Sequence, residues 1–292
     1  MKNNSEAGFN THGFDNEPKG LRRFGTFDSV YWTDMGVDSS TLDGRKTIAD
    51  NLGINLEDII SFSSANHTNE VLIIDGPESI SRVDEVININ DGNIQAAGWS
   101  EPILPSSKND SYSLNRGEYD GIILIGADKF KNKHLLVTGA DCTPIALRGK
   151  LRSGEEFISV VHGGRKGTMT GIMENLSKRL HWLGVIPDSV QMFVGPAAQK
   201  IELPTEIMEQ EGADNNSWRA NSVSDEYMVG AAKRVLYNNQ YDSTRRLVEG
   251  LGISPKNVHI IDADTVSEEY ADSLHSYRRD KTPMRNSLII GF

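Results

Sequence analysis

The sequence predicts an α+β protein, a single domain of mixed β-sheets packed with helices. Three observations predict it. Strand-sized apolar runs and amphipathic helical runs are interspersed along 292 residues without the regular alternation of a doubly wound sheet. No internal repeat is visible. The chain is long enough to bury a core without staples, and its one cysteine cannot form an intramolecular disulfide.

The elements follow in order. Residues 1–23, polar and rich in Asn and Gly, read as a flexible N-terminal segment before a domain spanning 24–292. "TLDGRKTIADNLGI" (41–54) puts Ile48 and Leu52 on one helical face, with Gly53 as a stop. "DIISFSSANH" and "EVLIIDG" read as two strands around a polar joint carrying His67. Asp91-Gly92 lies between two alternating runs, a hairpin signal, and residues 100–118, rich in Ser, Asn and Pro, read as a surface loop. "DGIILIG", "HLLVTGADC", "PIALRG" and "EEFISVVHGG" are strand-like. In "GTMTGIMENLSKRLHWLG" the residues Met169, Ile172, Met173, Leu176, Leu180 and Leu183 fall at helical spacing. "SVQMFVGP" reads as a strand ending in a turn. "SDEYMVGAAKRVLYNNQ" (224–240) reads as a helix capped by Ser224, and "STRRLVEGLGI" as another with Gly252 near its end. "NVHIID" and "SLIIGF" read as closing strands.

The charge balance narrows the function classes. With 30 basic and 41 acidic residues the net charge is -11, which argues against a broad nucleic-acid or anionic-membrane surface. A local anion pocket needs only a few cationic groups and is compatible with it. The longest apolar runs are too short for a transmembrane helix, and residues 1–20 lack the apolar core of a secretory signal. The expectation is a cytoplasmic protein with no nucleic-acid and no membrane partner; its oligomeric state is not legible.

Three side chains fit a soft or borderline metal. His67 sits in a polar break, Cys142 at the end of an apolar strand, and His162 between "FISVV" and "GGRKG". Two imidazoles and a thiolate supply three ligands and leave zinc a fourth position for water or substrate, the pattern of a catalytic site. The bland reading of the same residues is a small buried cysteine and two core or surface histidines. Gly163, Gly164 and Gly167 can turn backbone N–H groups toward an anion at a helix start, or simply make a tight turn around the solvated pair Arg165 and Lys166. "HSYRRDKTPMR" (275–285) is either a solvated cationic face or a place where Tyr277 stacks a ring and the arginines steer an anion.

Taken together, "TGADCTPIAL" and "VVHGGRKG", with Cys142 and His162 20 residues apart, resemble the T-A-D-C-x-P and H-A-G-W-R-G pair of the laccase-domain family, also called the multicopper polyphenol oxidase or YfiH-like family. "SSANHTNEVLIID", "EYDGIILIG" (with Asp120), "VGPAAQKIEL" and "HSYRRDKTPMRNSLII" are similar to its other segments, in the family's order, from about residue 24 to the end. The resemblance implies a single α+β domain with an insertion at about 76–118. It implies a zinc-dependent purine nucleoside phosphorylase that converts adenosine, inosine or guanosine to free base and ribose 1-phosphate, with adenosine deamination as a second activity. His67, Cys142 and His162 would hold the zinc. Cys142, His162 and Asp141 would carry the chemistry, Asp141 handling a proton or holding a ligand histidine. Arg45, Lys166 and Arg278 are candidates for phosphate. Departures lie around the site: Arg165 stands where the family has Trp, and Lys166 where it has Arg, which removes a bidentate fork. The alternatives are a Cys–His hydrolase or amidase acting in peptidoglycan-precursor editing, a copper-dependent polyphenol oxidase, and a diverged non-enzymatic member. Seven scattered histidines without a His-x-His pair make a multicopper site the weaker metal reading.

Overall fold

The computed structural model describes residues 4–14, 20–61, 67, 69–76, 87–90, 93–96, 102–103, 119–211, 224–229 and 232–292. In chain order the elements are β1 Asn10–His12, β2 Leu21–Arg23, β3 Val30–Thr33, α1 Leu42–Leu52, β4 Ile59–Ser61, β5 Val71–Ile74, β6 Ile87–Asn90, β7 Asn93–Ala96 and β8 Pro102–Ile103. Then come β9 Gly121–Ile125, β10 His134–Gly139, β11 Thr143–Lys150, β12 Glu156–Gly163, α2 Arg165–Thr170, α3 Ile172–Trp182, β13 Gln191–Val194, β14 Ile201–Pro204 and α4 Thr205–Glu211. The chain closes with β15 Ser224–Val229, β16 Ala232–Tyr237, α5 Asn239–Leu251, β17 Val258–Ile261, α6 Tyr277–Asp280 and β18 Asn286–Gly291.

Two mixed sheets face each other. One runs β1-β17-β13-β11-β12-β9-β5, the other β2-β3-β18-β10-β4-β6-β7-β8; a small third sheet runs β14-β16-β15. Period-2 alternation sorts the side chains. Ile122, Leu124, Ala146, Ile158, Val160 and Phe193 of the first sheet pack against Trp32, Leu135, Val137, Leu288 and Ile290 of the second. The other face of the first sheet (Ile123, Ile145, Leu147, Val161) is covered by Ile172, Met173, Leu176 and Leu180 of α3 and Leu247 and Leu251 of α5. The helix α1 covers the far side with Ile48 and Ala49 against Ile59, Leu136 and Ile289. The α+β expectation holds in this four-layer form.

The helix ends are set by the residues expected to set them. Thr41 caps α1 by accepting from Gly44 N, and Gly53 ends it at φ 67°. β6 and β7 pair antiparallel, with Asn90 opposite Asn93; Asp91 and Gly92, where the sequence suggests a hairpin turn, lie outside the described residues. Three expectations are corrected. The single helix expected over 167–184 is broken into α2 and α3 at Gly171, whose φ of 99° only glycine takes readily. The helix expected over 224–240 is replaced by the antiparallel pair β15 and β16 (224–229 and 232–237), with Val229 opposite Ala232, and α5 starts only at Asn239. The segment 1–23, expected to be flexible, is structured where described. β1 pairs in parallel with β17, β2 pairs with β3, and buried Asn4 donates from Nδ2 to Gln240 Oε1 at 2.8 Å. Most of the 76–118 insertion and of the 100–118 loop lies outside the described residues.

Candidate metal centre

The site forms where the chain changes sheets. β10 ends at Gly139 in the second sheet, Ala140 to Cys142 make the step, and β11 begins in the first. A Cβ on Gly139 would sit 2.5 Å from Cys142 O, so the step is tight enough to require glycine. β11 and β12 are an antiparallel pair with Pro144 opposite His162 and Thr143 opposite Gly163. Cys142 and His162 therefore stand at the same end of one hairpin. His162 has the same parity as Ile158 and Val160, which places its ring between the sheets.

The buried His162 ring is oriented from the facing sheet. Its Nδ1 lies 2.8 Å from Thr138 O, a carbonyl that can only accept, so Nδ1 carries the proton. That leaves Nε2 with a bare lone pair, buried and without a hydrogen-bond partner. His67, half-buried and in left-handed backbone at φ 57°, brings its Nε2 to 3.5 Å from Cys142 Sγ. The two imidazoles meet edge to face at 5.5 Å. The donor atoms of His67, Cys142 and His162 all lie within 4.8 Å of one another. Gly164 makes room for this: a Cβ there would land on His67 Cδ2 and come within 3.3 Å of Cys142 Sγ.

The electrostatics fit a cation. Burial, then the Asp141 charge, pushes the Cys142 thiol up to about 12, with Arg285 and Arg278 opposing and Asp120 adding. Burial, then His67, drives His162 down to about 3, against the Thr138 hydrogen bond. His67 is lowered by burial, then by Lys166 and Arg165. Both imidazoles are thus neutral lone-pair donors, while the thiol ionises only if a positive charge sits beside it. A divalent ion meets all three conditions at once. The 3.5 Å between Sγ and Nε2 also matches the edge of a tetrahedral site, since bonds of about 2.3 Å to sulfur and about 2.0–2.1 Å to nitrogen span about 3.5 Å. Among the described residues this is the one group of three or more His, Cys, Asp or Glu side chains arranged to hold a metal.

The other expected residues divide. Asp141 is buried, and its carboxylate accepts from Thr265 Oγ1 at 3.0 Å, Ser276 Oγ at 2.7 Å and Arg278 N at 2.7 Å. It fastens the cysteine step to the 264–280 loops; the hydrogen bond that orients His162 is donated by its own Nδ1 to Thr138 O instead. Arg278 and Lys166 are exposed and their charges act on Cys142 and His67 respectively. Arg45 is 1% exposed, with Nε donating to Ser39 O and Nη1 to Ser61 Oγ. It locks α1 to β4, which is not the open position that a phosphate-binding side chain needs. Sequence reasoning missed Thr138 and Arg285. The charge of Arg285 acts on both Cys142 and His162, and its guanidinium lies 6.0 Å from the Tyr277 ring centre. Arg285 belongs to the cationic run 275–285, but spacing does not tell which cation faces inward. Arg279, in the same run, is spent on Thr265 O, Ser267 O and Leu274 O.

With this geometry in view, the comparisons are direct. The family model described as multi-copper polyphenol oxidoreductase laccase matches residues 37–290. The chain belongs to that family. Similar solved structures include a hypothetical protein YfiH of Bacillus licheniformis, at TM-score 0.68 and 17% identity, over 96% of this chain and 98% of that one. YlmD of Geobacillus stearothermophilus is similar at TM-score 0.64 and 17% identity, over 95% and 98%. The Neisseria meningitidis protein NMB0706 follows at 0.59 and 17%, over 93% and 99%. At this identity they show the fold, a YfiH-like α+β domain. No curated protein matches the sequence. Among the described residues no helix is long and apolar enough to cross a membrane.

Proposed function

We propose that the chain is a zinc-dependent purine nucleoside phosphorylase. The observation that carries the reading is the bare, buried Nε2 of His162, grouped within 4.8 Å with the ligand atoms of Cys142 and His67, with the charges of Lys166, Arg165, Arg278 and Arg285 acting on the group. His67, Cys142 and His162 would hold the ion, which when bound acts as a Lewis acid and lowers the pKa of a coordinated water. The residues of the chain do the rest. Arg278, Lys166 and Arg285 gather an anionic co-substrate by charge. Tyr277, 55% exposed, offers a ring face to a purine base at the same rim. In phosphorolysis a phosphate oxygen bonds to ribose C1′, the C1′–N bond breaks, and the electron pair goes to the base nitrogen, which takes a proton. Holding phosphate and nucleoside together supplies much of the rate.

A metal-free cysteine nucleophile is the weaker reading, because a thiol held near 12 is almost wholly protonated at neutral pH. The test is purified protein assayed for metal and for purine release from adenosine, inosine and guanosine, with and without phosphate. One zinc per chain and phosphate-dependent base release are expected, both abolished in Cys142→Ala. Ammonia from adenosine would add deamination. Base release that survives Cys142→Ala, or a metal-free protein with full activity, overturns the proposal.

A further inference from the structure

The ligand strands are held from behind by a residue that no motif pointed to. Asn239 is the first residue of α5 and is 1% exposed. Its Nδ2 donates to Thr143 Oγ1 at 2.9 Å and to Gly163 O at 2.8 Å. Thr143 directly follows Cys142, Gly163 directly follows His162, and the two are opposite one another on the β11–β12 ladder. One amide therefore ties together the chain positions next to two of the three ligands. The helix can come this close because residue 163 is glycine: a Cβ there would meet Met173 Cε and Ser243 Oγ, each at 2.9 Å. Ser243, one turn further along α5, is 2.9 Å from Thr168 Oγ1, which fixes α2 just beyond Gly164. The start of α5 is itself pinned by Asn238, whose side chain accepts from Tyr241 N.

We propose that Asn239 is a positioning residue of the metal centre, setting the separation of Cys142 Sγ from His162 Nε2 by bracketing Thr143 and Gly163. The proposal rests on the metal reading above. Asn239 Oδ1 is buried with no hydrogen-bond partner. A residue serving only to stabilise α5 would not leave that oxygen bare, whereas a bracket needs only the two N–H bonds. Groups that orient ligands in this way contribute about 10- to 100-fold to metal affinity.

The neighbouring Gln240 provides the control. It is buried in the same turn of α5, and its Nε2 likewise bridges two carbonyls, Gly195 O and Ile261 O, but neither adjoins a ligand. The experiment titrates cobalt(II) into the metal-free full chain and reads the dissociation constant and the visible thiolate–cobalt spectrum. Asn239→Ala should weaken binding about 10- to 100-fold and shift the spectrum. Thr143→Val, which removes one of the two bonds and keeps the shape, should weaken it less, and it carries the test if Asn239→Ala does not fold. Gln240→Ala should leave affinity within about twofold and the spectrum unchanged, well short of the orienting effect. Equal losses in Asn239→Ala and Gln240→Ala, or no change in either Asn239→Ala or Thr143→Val, overturn the positioning role. A wild-type chain that takes up no cobalt overturns the metal reading itself, a separate result.

Discussion

Asp141 sits beside Cys142 in the candidate metal site and anchors the step that carries it. Its carboxylate satisfies three donors from the 264–280 loops, so it ties the step carrying Cys142 to the edge formed by Tyr277 and Arg278. Asp141→Asn keeps the shape but turns an amide N–H toward at least one of those donors. An unpaired buried polar group costs about 1–3 kcal/mol. The expected outcome is a zinc content still near one per chain, with kcat/KM for nucleoside down by about 10- to 100-fold, in keeping with that cost. Metal analysis beside steady-state kinetics checks it; loss of zinc together with activity would place Asp141 in the hold on the metal. At this scale the sequence is readable where chemistry dictates residue type. His67, Cys142 and His162 stood out because few residues bind soft cations, and the structure brings their donor atoms together. Thr138 and Asn239 did not stand out, Gly164 stood out only as part of an anion-binding turn, and Arg285 only as one cation in a run, because their importance lies in approach distances between segments far apart in sequence. Arg45 misleads for the complementary reason: an arginine reads as an anion binder until its guanidinium is seen under α1.

Elements were readable where local chemistry and tertiary demand agree. "DGIILIG" and "EEFISVVHGG" became β9 and β12 because apolar β-branched runs suit strands buried on both faces. Residues 224–240 misled because Ala, Lys, Arg and Leu favour helix, while β14 offers a partner strand. Pairing Val235 with Leu203 and Tyr237 with Ile201 buries both side chains of β16 in the core, and tertiary burial outweighs intrinsic preference. The strand β1 was hidden because three residues carry little pattern; its docking rests on long-range contacts. His12 Nε2 lies 3.3 Å from His259 Nδ1 on β17, and His259 Nε2 lies 3.1 Å from Gln191 Oε1. Phe24, Phe27 and Phe193 surround the pair. Burial, then the charges of His12 and Arg148, hold His259 at about 4, and burial lowers His12. Because the folded value lies below the unfolded one of about 6.5, the contribution to stability is fully present above pH 6.5. It is lost as pH falls from there toward 4. Hydrogen-exchange protection of residues 10–12 and 258–261 should therefore drop between pH 7 and pH 5 more than that of β11 and β12. His259→Gln should remove most of that difference. Equal loss across the sheet in wild type would show that β1 is not released by this pair.

At the scale of the whole molecule, the candidate metal site lies where the two sheets are joined. β10 belongs to one sheet and β11 to the other, and the step between them carries Cys142. His162 comes from the first sheet and is oriented by Thr138 of the second. His67 arrives from the connection between β4 and β5, which again lie in different sheets. A single ion held by these three would therefore cross-link both sheets and the segment between them, so binding should stabilise the global fold. The unfolded chain has no preformed site, and binding to the folded state alone adds about 2.7 kcal/mol at a free ion concentration 100 times the dissociation constant. For a domain of this size each kcal/mol moves the midpoint by about 2 °C or slightly more, so chelation should lower Tm by about 5 °C. Cys142→Ser, which replaces the thiolate with a poor zinc ligand, should melt near the chelated wild type, and chelator should then have little further effect. Differential scanning calorimetry with and without chelator, on wild type and variant, reads both numbers. If chelator removes one zinc per chain and leaves the wild-type Tm in place, the ion binds the folded and unfolded chain alike and no preorganised site holds it. In that case His67, Cys142 and His162 would owe their convergence to the fold alone.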